Sequence, residues 1–329
     1  MTEFHKWTAQ INAIANAFKR SQILFTAVEA NIFPLLQDEC SAASIAQQRD
    51  WSERGTAMLL DGLVALGLVH KHNGNYRNSP AAAACLIPGR EGYQGDIIRH
   101  TRNACETWAQ LNQAVRTGTG VKTGSHRFDS EELRDFILGM SNIAFLSAPD
   151  MLQHIDLSPF RHMLDVGSGP ATYPIAFLNA FPKLHATIFD LPPVIEIARE
   201  QVHKANLLHR CNFIPGDYYN DDLGTGYDLI LLSNVIHSMG PPDIQRLFQN
   251  CFNALEPGGT LIVKDFLTNQ DHSAPAYSLI FALHMLIHTE QGGTYSEADI
   301  AAWTQQAGFV NGRLLPLTEK TRLWLVQKT

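Results

Sequence analysis

Several polar positions in this chain follow directly on short apolar runs. Met163-Leu164-Asp165-Val166 runs into Gly167-Ser168-Gly169-Pro170-Ala171-Thr172. A second run ends on Asp190, a third on Gly216-Asp217-Tyr218, a fourth on Ser233-Asn234-Val235-Ile236-His237 and a fifth on Lys264-Asp265. A strand that stops on glycine and hands over to a helix makes a ledge on which a ligand can lie close to the backbone. An acidic residue about twenty positions beyond such a ledge can accept both hydroxyls of a ribose. A carboxylate after the third run could accept the exocyclic amine of adenine. Each feature also has a plainer reading: Asp190 could cap the helix that starts near Pro192, and Asp217 could be a turn residue. Taken together, glycine ledge, Asp and Asp suit an adenosine ligand. The third position of a dinucleotide fingerprint would be Thr172, which fits poorly. The spacing G-x-G-x-A fits the S-adenosylmethionine (SAM) ledge of methyltransferases better.

The elements that must hold these positions alternate. Apolar runs at 163–166, 186–189, 211–214, 228–232 and 260–263 are separated by helical patterns at 172–181, 193–204 and 242–255. That rhythm predicts a parallel sheet with helices on both faces and ligands beyond the C-terminal strand ends. Gly308-Phe309-Val310, Leu314-Leu315 and Leu323-Trp324-Leu325-Val326 predict two closing strands with a turn near Glu319-Lys320.

The first third reads differently. Ile11, Ile14, Ala15, Phe18, Ile23, Leu24, Ala27 and Val28 recur at helical spacing over residues 6–36, too apolar to stand without a core or a second subunit. Ser41 opens a short helix and Ser52 a longer one, expected to place Met58, Leu59, Leu63 and Leu66 on one face. Lys71-His-Asn-Gly-Asn-Tyr76 reads as a hairpin with Asn73-Gly74 at its tip. Two short helices and a hairpin form a winged-helix pattern. A DNA reader would present cations on the second helix, which offers Arg54 alone, so a structural or dimerising use is expected. Residues 96–155 read as helical, broken by a loop at 117–124.

The 329 residues predict two domains, and the net charge of −7 argues against nucleic acid or an anionic membrane as partner. No apolar run is long enough to span a bilayer, and the first residues lack a signal-peptide layout. The five cysteines are scattered with no CxxC, as expected of reduced thiols in a cytoplasmic protein. His284 and His288, four apart on a predicted helix, form a possible metal pair with no third ligand evident.

With these motifs in order, the chain resembles the class I SAM-dependent methyltransferases. More closely, it resembles the small-molecule O-methyltransferases related to plant caffeate and animal acetylserotonin O-methyltransferases. Leu-Asp-Val-Gly-Ser-Gly, Phe-Asp-Leu-Pro, Gly-Asp-Tyr-Tyr, Asn-Val-Ile-His, Ala254-Leu-Glu-Pro-Gly-Gly259 and Gly308-Phe309 recur in sequence. The resemblance implies a Rossmann-like α/β catalytic domain at 156–329. It also implies a winged-helix dimerisation domain at 1–95, and a helical linker at 96–155 that contributes to the acceptor pocket. It implies SAM on Gly167, Gly169, Asp190, Leu191, Asp217 and Tyr218, with Ser233 where plant members carry a Lys. His237 matches the family's catalytic base, and its pKa class suits drawing a proton from a hydroxyl as the oxygen attacks. Asp265 matches the first of two carboxylates that flank this His in plant members. Thr294 stands at the second, and Ser238 replaces the usual Asp after the His. The acceptor pocket would use Trp108, Phe136, Met140, Asn142, Phe145, His284, Met285 and His288. The expected activity is methyl transfer from SAM to a hydroxyl of a small aromatic or conjugated acceptor by a cytoplasmic homodimer, without a metal. Methylation of nitrogen or carbon at a heteroaromatic acceptor, or a SAM-sensing winged-helix regulator, are the alternatives.

Overall fold

The computed structural model describes residues 2–120 and 130–329. Positions 121–124 of the loop expected at 117–124 lie outside the described residues. The chain divides into two compact units, Met1–Ala104 and Cys105–Thr329.

The first unit opens with a long helix, α1 (Glu3–Glu29). Its C-terminal half buries Phe25, Ala27 and Val28. Its N-terminal half leaves Phe4, Trp7, Ile11, Ile14 and Phe18 exposed. After β1 (Cys40–Ser41) come α2 (Ala42–Arg49) and α3 (Glu53–Ala65). Ser41 and Ser52 cap these helices, accepting from the N–H groups of Ser44 at 3.2 Å and Gly55 at 3.3 Å. The hairpin of β2 (Val69–His72) and β3 (Asn75–Asn78) turns on Asn73 and Gly74, with φ of 48° and 81°. Two positive φ values in a two-residue loop match the right-handed twist of the strands, which is why Asn-Gly marks it. The three strands pair in the order β1-β3-β2, and α4 (Pro80–Cys85) follows. One sequence expectation is corrected. The buried face of α3 is Thr56, Leu60 and Leu63, whereas Met58 is 61% exposed. The apolar positions of α3 surround more than one face, and packing selected the 56/60/63 row.

α5 (Gly95–Trp108) crosses the division between the units and is followed by α6 (Leu111–Thr117) and α7 (Ser130–His154). The second unit then builds β4 (His162–Val166), α8 (Thr172–Ala180), β5 (His185–Asp190), α9 (Pro192–Lys204), β6 (Cys211–Pro215) and β7 (Tyr227–Ser233). α10 (Pro241–Ala254), β8 (Leu255–Asp265), α11 (Ala276–His288), α12 (Glu297–Gln306), β9 (Val310–Pro316) and β10 (Arg322–Gln327) complete it. The sheet order is β6-β5-β4-β7-β8-β10-β9. β4 to β8 are parallel, and β10 closes antiparallel to β8 and β9. Strand order reverses between β4 and β7, where open α/β sheets leave a crevice for ligands. The central strands read as near-continuous Val, Ile and Leu because helices cover both faces. Leu164, Val166, Ile230, Leu232, Leu261 and Val263 pack on one side. Met163, Ile188, Leu229, Leu231 and Ile262 pack on the other.

Candidate active site

At the end of β4 the chain leaves through Gly167 and Gly169, with φ of +68° and +57°. A Cβ at Gly167 would meet Val235 Cγ2 at 2.9 Å. One at Gly169 would meet nothing within 4 Å. The first glycine is required by packing. The second faces open space, as a ledge for a ligand must. Ala171 also adopts a left-handed conformation before α8, whose N-terminus carries no side-chain cap. Its first N–H groups have no capping side chain at Ala171.

Asp190, the last residue of β5, ties the ledge to the next loop. Its Oδ2 accepts from the Gly169 N–H at 2.7 Å and its Oδ1 from the Leu191 N–H at 2.7 Å. Each carboxylate oxygen keeps a lone pair for a ligand hydroxyl. Burial raises its pKa, against the two backbone hydrogen bonds. Asp190 does not cap α9, which has no side-chain cap. Leu191 is 48% exposed beside it, an apolar surface that a flat ring could cover.

Asp217 does serve its own turn. Its oxygens accept from the Tyr219 N–H at 2.9 Å and from Asn220 Nδ2 at 2.8 Å. Each again has capacity for a second donor. The Tyr218 ring lies against Gly167, where an added Cβ would stand 3.5 Å from it. Burial raises the Tyr218 pKa, so the phenol stays neutral. Ser233 Oγ, at the end of β7, is buried with no hydrogen-bond partner. An orphaned buried hydroxyl at the end of the strand that pairs with β4 is the kind of group a bound ligand satisfies. The glycine ledge, the unsaturated Asp190, exposed Leu191 and unpartnered Ser233 fit an adenosine cofactor.

His237 sits on a 3-10 turn after β7. Its Nδ1 lies 2.7 Å from Asp265 Oδ1, and its backbone N–H donates to Asp265 Oδ2 at 3.4 Å. A carboxylate only accepts, so Nδ1 carries a proton, and the tautomer this selects has its lone pair on Nε2. Phe281 stands edge-on to the imidazole at 4.9 Å between centroids, and Phe266 is tilted to it by 43° at 5.7 Å. The Gly293 N–H donates to the His237 carbonyl at 2.9 Å. Gly292 packs closely there, since a Cβ on it would fall 2.5 Å from that oxygen.

Beyond Phe281 the aromatic surface continues. Phe281 stacks with His284 at 5.5 Å, His284 with Trp108 at 6.1 Å, and His284 meets His288 at 4.1 Å. Trp108 Nε1–H donates to His284 Nδ1 at 3.1 Å. His288 Nδ1 donates to the His284 carbonyl at 2.8 Å, and burial lowers its pKa. The structure thus brings Trp108, His284 and His288 into one row that reaches His237. Met285 is buried on α11. Met140 and Asn142 are half-buried on α7. Phe136 is half-buried and packs with Ile137 against Val194 and Ile197, and Phe145 is 38% exposed. Among the described residues no group of three or more metal-ligating side chains forms. Sequence reasoning missed Tyr277, Phe281 and Phe266. The signal was available: positions 277, 281, 284 and 288 share one helical face, all aromatic or imidazole.

Comparison with known proteins follows the same lines. A family model described as an O-methyltransferase domain matches residues 93–310, and one described as an O-methyltransferase dimerisation domain matches residues 12–88. The 3-hydroxy-5-methyl-1-naphthoate 3-O-methyltransferase of Streptomyces sahachiroi is 29% identical over 302 residues, covering 90% of this chain and 87% of that protein. Acetylserotonin O-methyltransferase of Bos taurus is 30% identical over 314 residues, covering 90% of each. The solved structure of PigF with SAH superposes with a TM-score of 0.90 at 26% identity, covering 97% of this chain and 99% of that one.

Proposed function

The chain belongs to the SAM-dependent O-methyltransferase family, and on that premise we propose that it methylates a hydroxyl of a small planar aromatic acceptor, with His237 as general base. When bound, SAM supplies a methyl group on a sulfonium. Gly167, Gly169, Asp190, Leu191, Asp217, Tyr218 and Ser233 are the residues to hold it. Asp190 takes the ribose hydroxyls, and Asp217 and Tyr218 the adenine. Asp265 fixes the imidazole so that Nε2 can receive the hydroxyl proton as the oxygen attacks. The walls formed by Phe266, Phe281, His284 and Trp108 hold a flat ring in line, where orientation lowers the barrier further.

The observation that carries this reading is the 2.7 Å contact of His237 Nδ1 with Asp265 in an aromatic sleeve. Trp108, Phe136, Met140, Asn142, Phe145, His284, Met285 and His288 are proposed as the wider acceptor surface. Residues 1–95 are proposed as the dimerisation domain, 96–155 as the helical linker and 156–329 as the catalytic domain.

The test is transfer of label from SAM to a panel of hydroxynaphthoates by wild type and His237→Ala. A fall in kcat of about 10²–10⁴-fold with SAH affinity retained is expected. Full turnover by the variant would overturn the base assignment and favour a nitrogen or carbon acceptor.

A further inference from the structure

Lys264 is 1% exposed, at the end of β8. Among the described residues no ion pair includes it. Its Nζ donates to Asn234 Oδ1 at 2.9 Å and lies 5.6 Å from the centre of the Tyr173 ring. A buried ammonium is costly, and this one is directed to a single side-chain acceptor.

That acceptor stands at a critical point. Ser233 is the last residue of β7 and pairs with Lys264 in the ladder. Asn234 then turns the chain in a left-handed conformation, with φ of +58°. Asn tolerates this better than most residues, but it still needs neighbours to hold it there. Lys264 does so from both ends. The Asn234 N–H donates to the Lys264 carbonyl at 2.8 Å, while Lys264 Nζ holds the Asn234 side chain. The next residue, Asp265, faces the other side of the strand and takes His237. Two consecutive residues of β8 therefore grip two points, three residues apart, on the turn that carries the imidazole. A change of φ at Asn234 would swing His237 off Asp265.

We propose that Lys264 is a positioning residue: by clasping Asn234 at both backbone and side chain, it sets the turn that presents His237 to the acceptor. The functional meaning rests on the reading of His237 as base, but the clasp itself is tested without turnover. The readout is the Nδ1–H proton of His237, observed by NMR in histidine-labelled full-length protein with SAH present. In Lys264→Met its exchange with water should accelerate by about tenfold or more, because the turn opens more often. Lys264→Arg should restore slow exchange. Asn234→Ala should exchange at least as fast as Lys264→Met, because it loses the same contact and adds left-handed strain at 234, and the double variant should be no worse than Asn234→Ala, in which the contact is already gone. If Lys264→Met fails to fold, Asn234→Ala with its thermal midpoint carries the same comparison. Wild-type exchange in both single variants, or effects that add in the double variant, would overturn the clasp. An active His237→Ala would remove the base reading and leave these exchange rates unaffected, so the two failures are distinct.

Discussion

His237 Nδ1 and Asp265 Oδ1 are 2.7 Å apart, and the carboxylate is almost wholly shielded from water. Asp265 Oδ1 also accepts from the Phe266 N–H at 2.8 Å, so its rotamer is fixed before the imidazole arrives. Orientation of the ring in this way is what separates a positioned base from a solvated one. Asp265→Ala should lower kcat by about 10–100-fold, less than loss of the imidazole itself. Asp265→Glu lengthens the arm and should recover part of that loss. Steady-state kinetics with labelled SAM decide it, and an Asp265→Ala enzyme with unchanged kcat would show that the ring needs no such partner.

Asp165 lies under the ledge, fully buried, with its pKa pushed up to about 7. Burial is the main cause, the Asp190 charge adds to it, and the Ser168 hydroxyl donating at 2.6 Å opposes it. The folded chain therefore binds this proton more tightly than the unfolded chain, whose Asp titrates near 3.8. The stabilisation is complete below the unfolded pKa and is lost as pH rises through about 7, on the order of 4 kcal/mol at most. Asp165→Asn keeps an acceptor for Ser168 and removes the titration. Thermal melts of the variant should lose less stability between about pH 4 and pH 8 than wild type does. Parallel pH profiles for the two would refute this.

The two ledge glycines should fail in different ways. Gly167→Ala puts a methyl 2.9 Å from Val235 at a φ of +68°, so both strain and a clash reach the fold. Gly169→Ala adds only left-handed strain, about 1–2 kcal/mol, because its Cβ meets open space. That space is where the cofactor is proposed to lie. Calorimetry should find SAH affinity reduced in Gly169→Ala with the melting temperature little changed, whereas Gly167→Ala should melt early. Undiminished SAH binding by Gly169→Ala would move the cofactor off this ledge.

Much of this site was legible along the chain because each polar group ends an apolar run, and a parallel sheet brings such ends to one edge. Gly167, Asp190, Asp217 and His237 need only that rule. What was not legible depends on register or on faces. Lys264 looks like an ordinary strand-end cation until pairing with Ser233 sets it beside Asn234. Met58 and Leu60 are equally apolar, and only packing decides that Leu60 is buried. His284 and His288 carry both a metal and an acceptor reading in the sequence, and Tyr277 and Phe281 carry none, because the four-three-four spacing that sets all four on one helical face shows only when they are taken together.

The exposed half of α1 repeats apolar residues at intervals of three and four: Phe4, Trp7, Ile11, Ile14 and Phe18, each at least 57% exposed. That is the seam of a helix that packs against another, and burying such side chains is worth roughly 1.5–3 kcal/mol each. The dimerisation-domain match begins within this stripe, at residue 12. A second copy of the chain is therefore expected on it. Ile11→Glu with Ile14→Lys places charges at the centre of the seam, where an unpaired charge is costly to bury. Light scattering should give twice the chain mass for wild type and the single mass for the double variant. SAH affinity, which rests on the second unit, should hold. A double variant that stays dimeric would place the interface elsewhere on the chain.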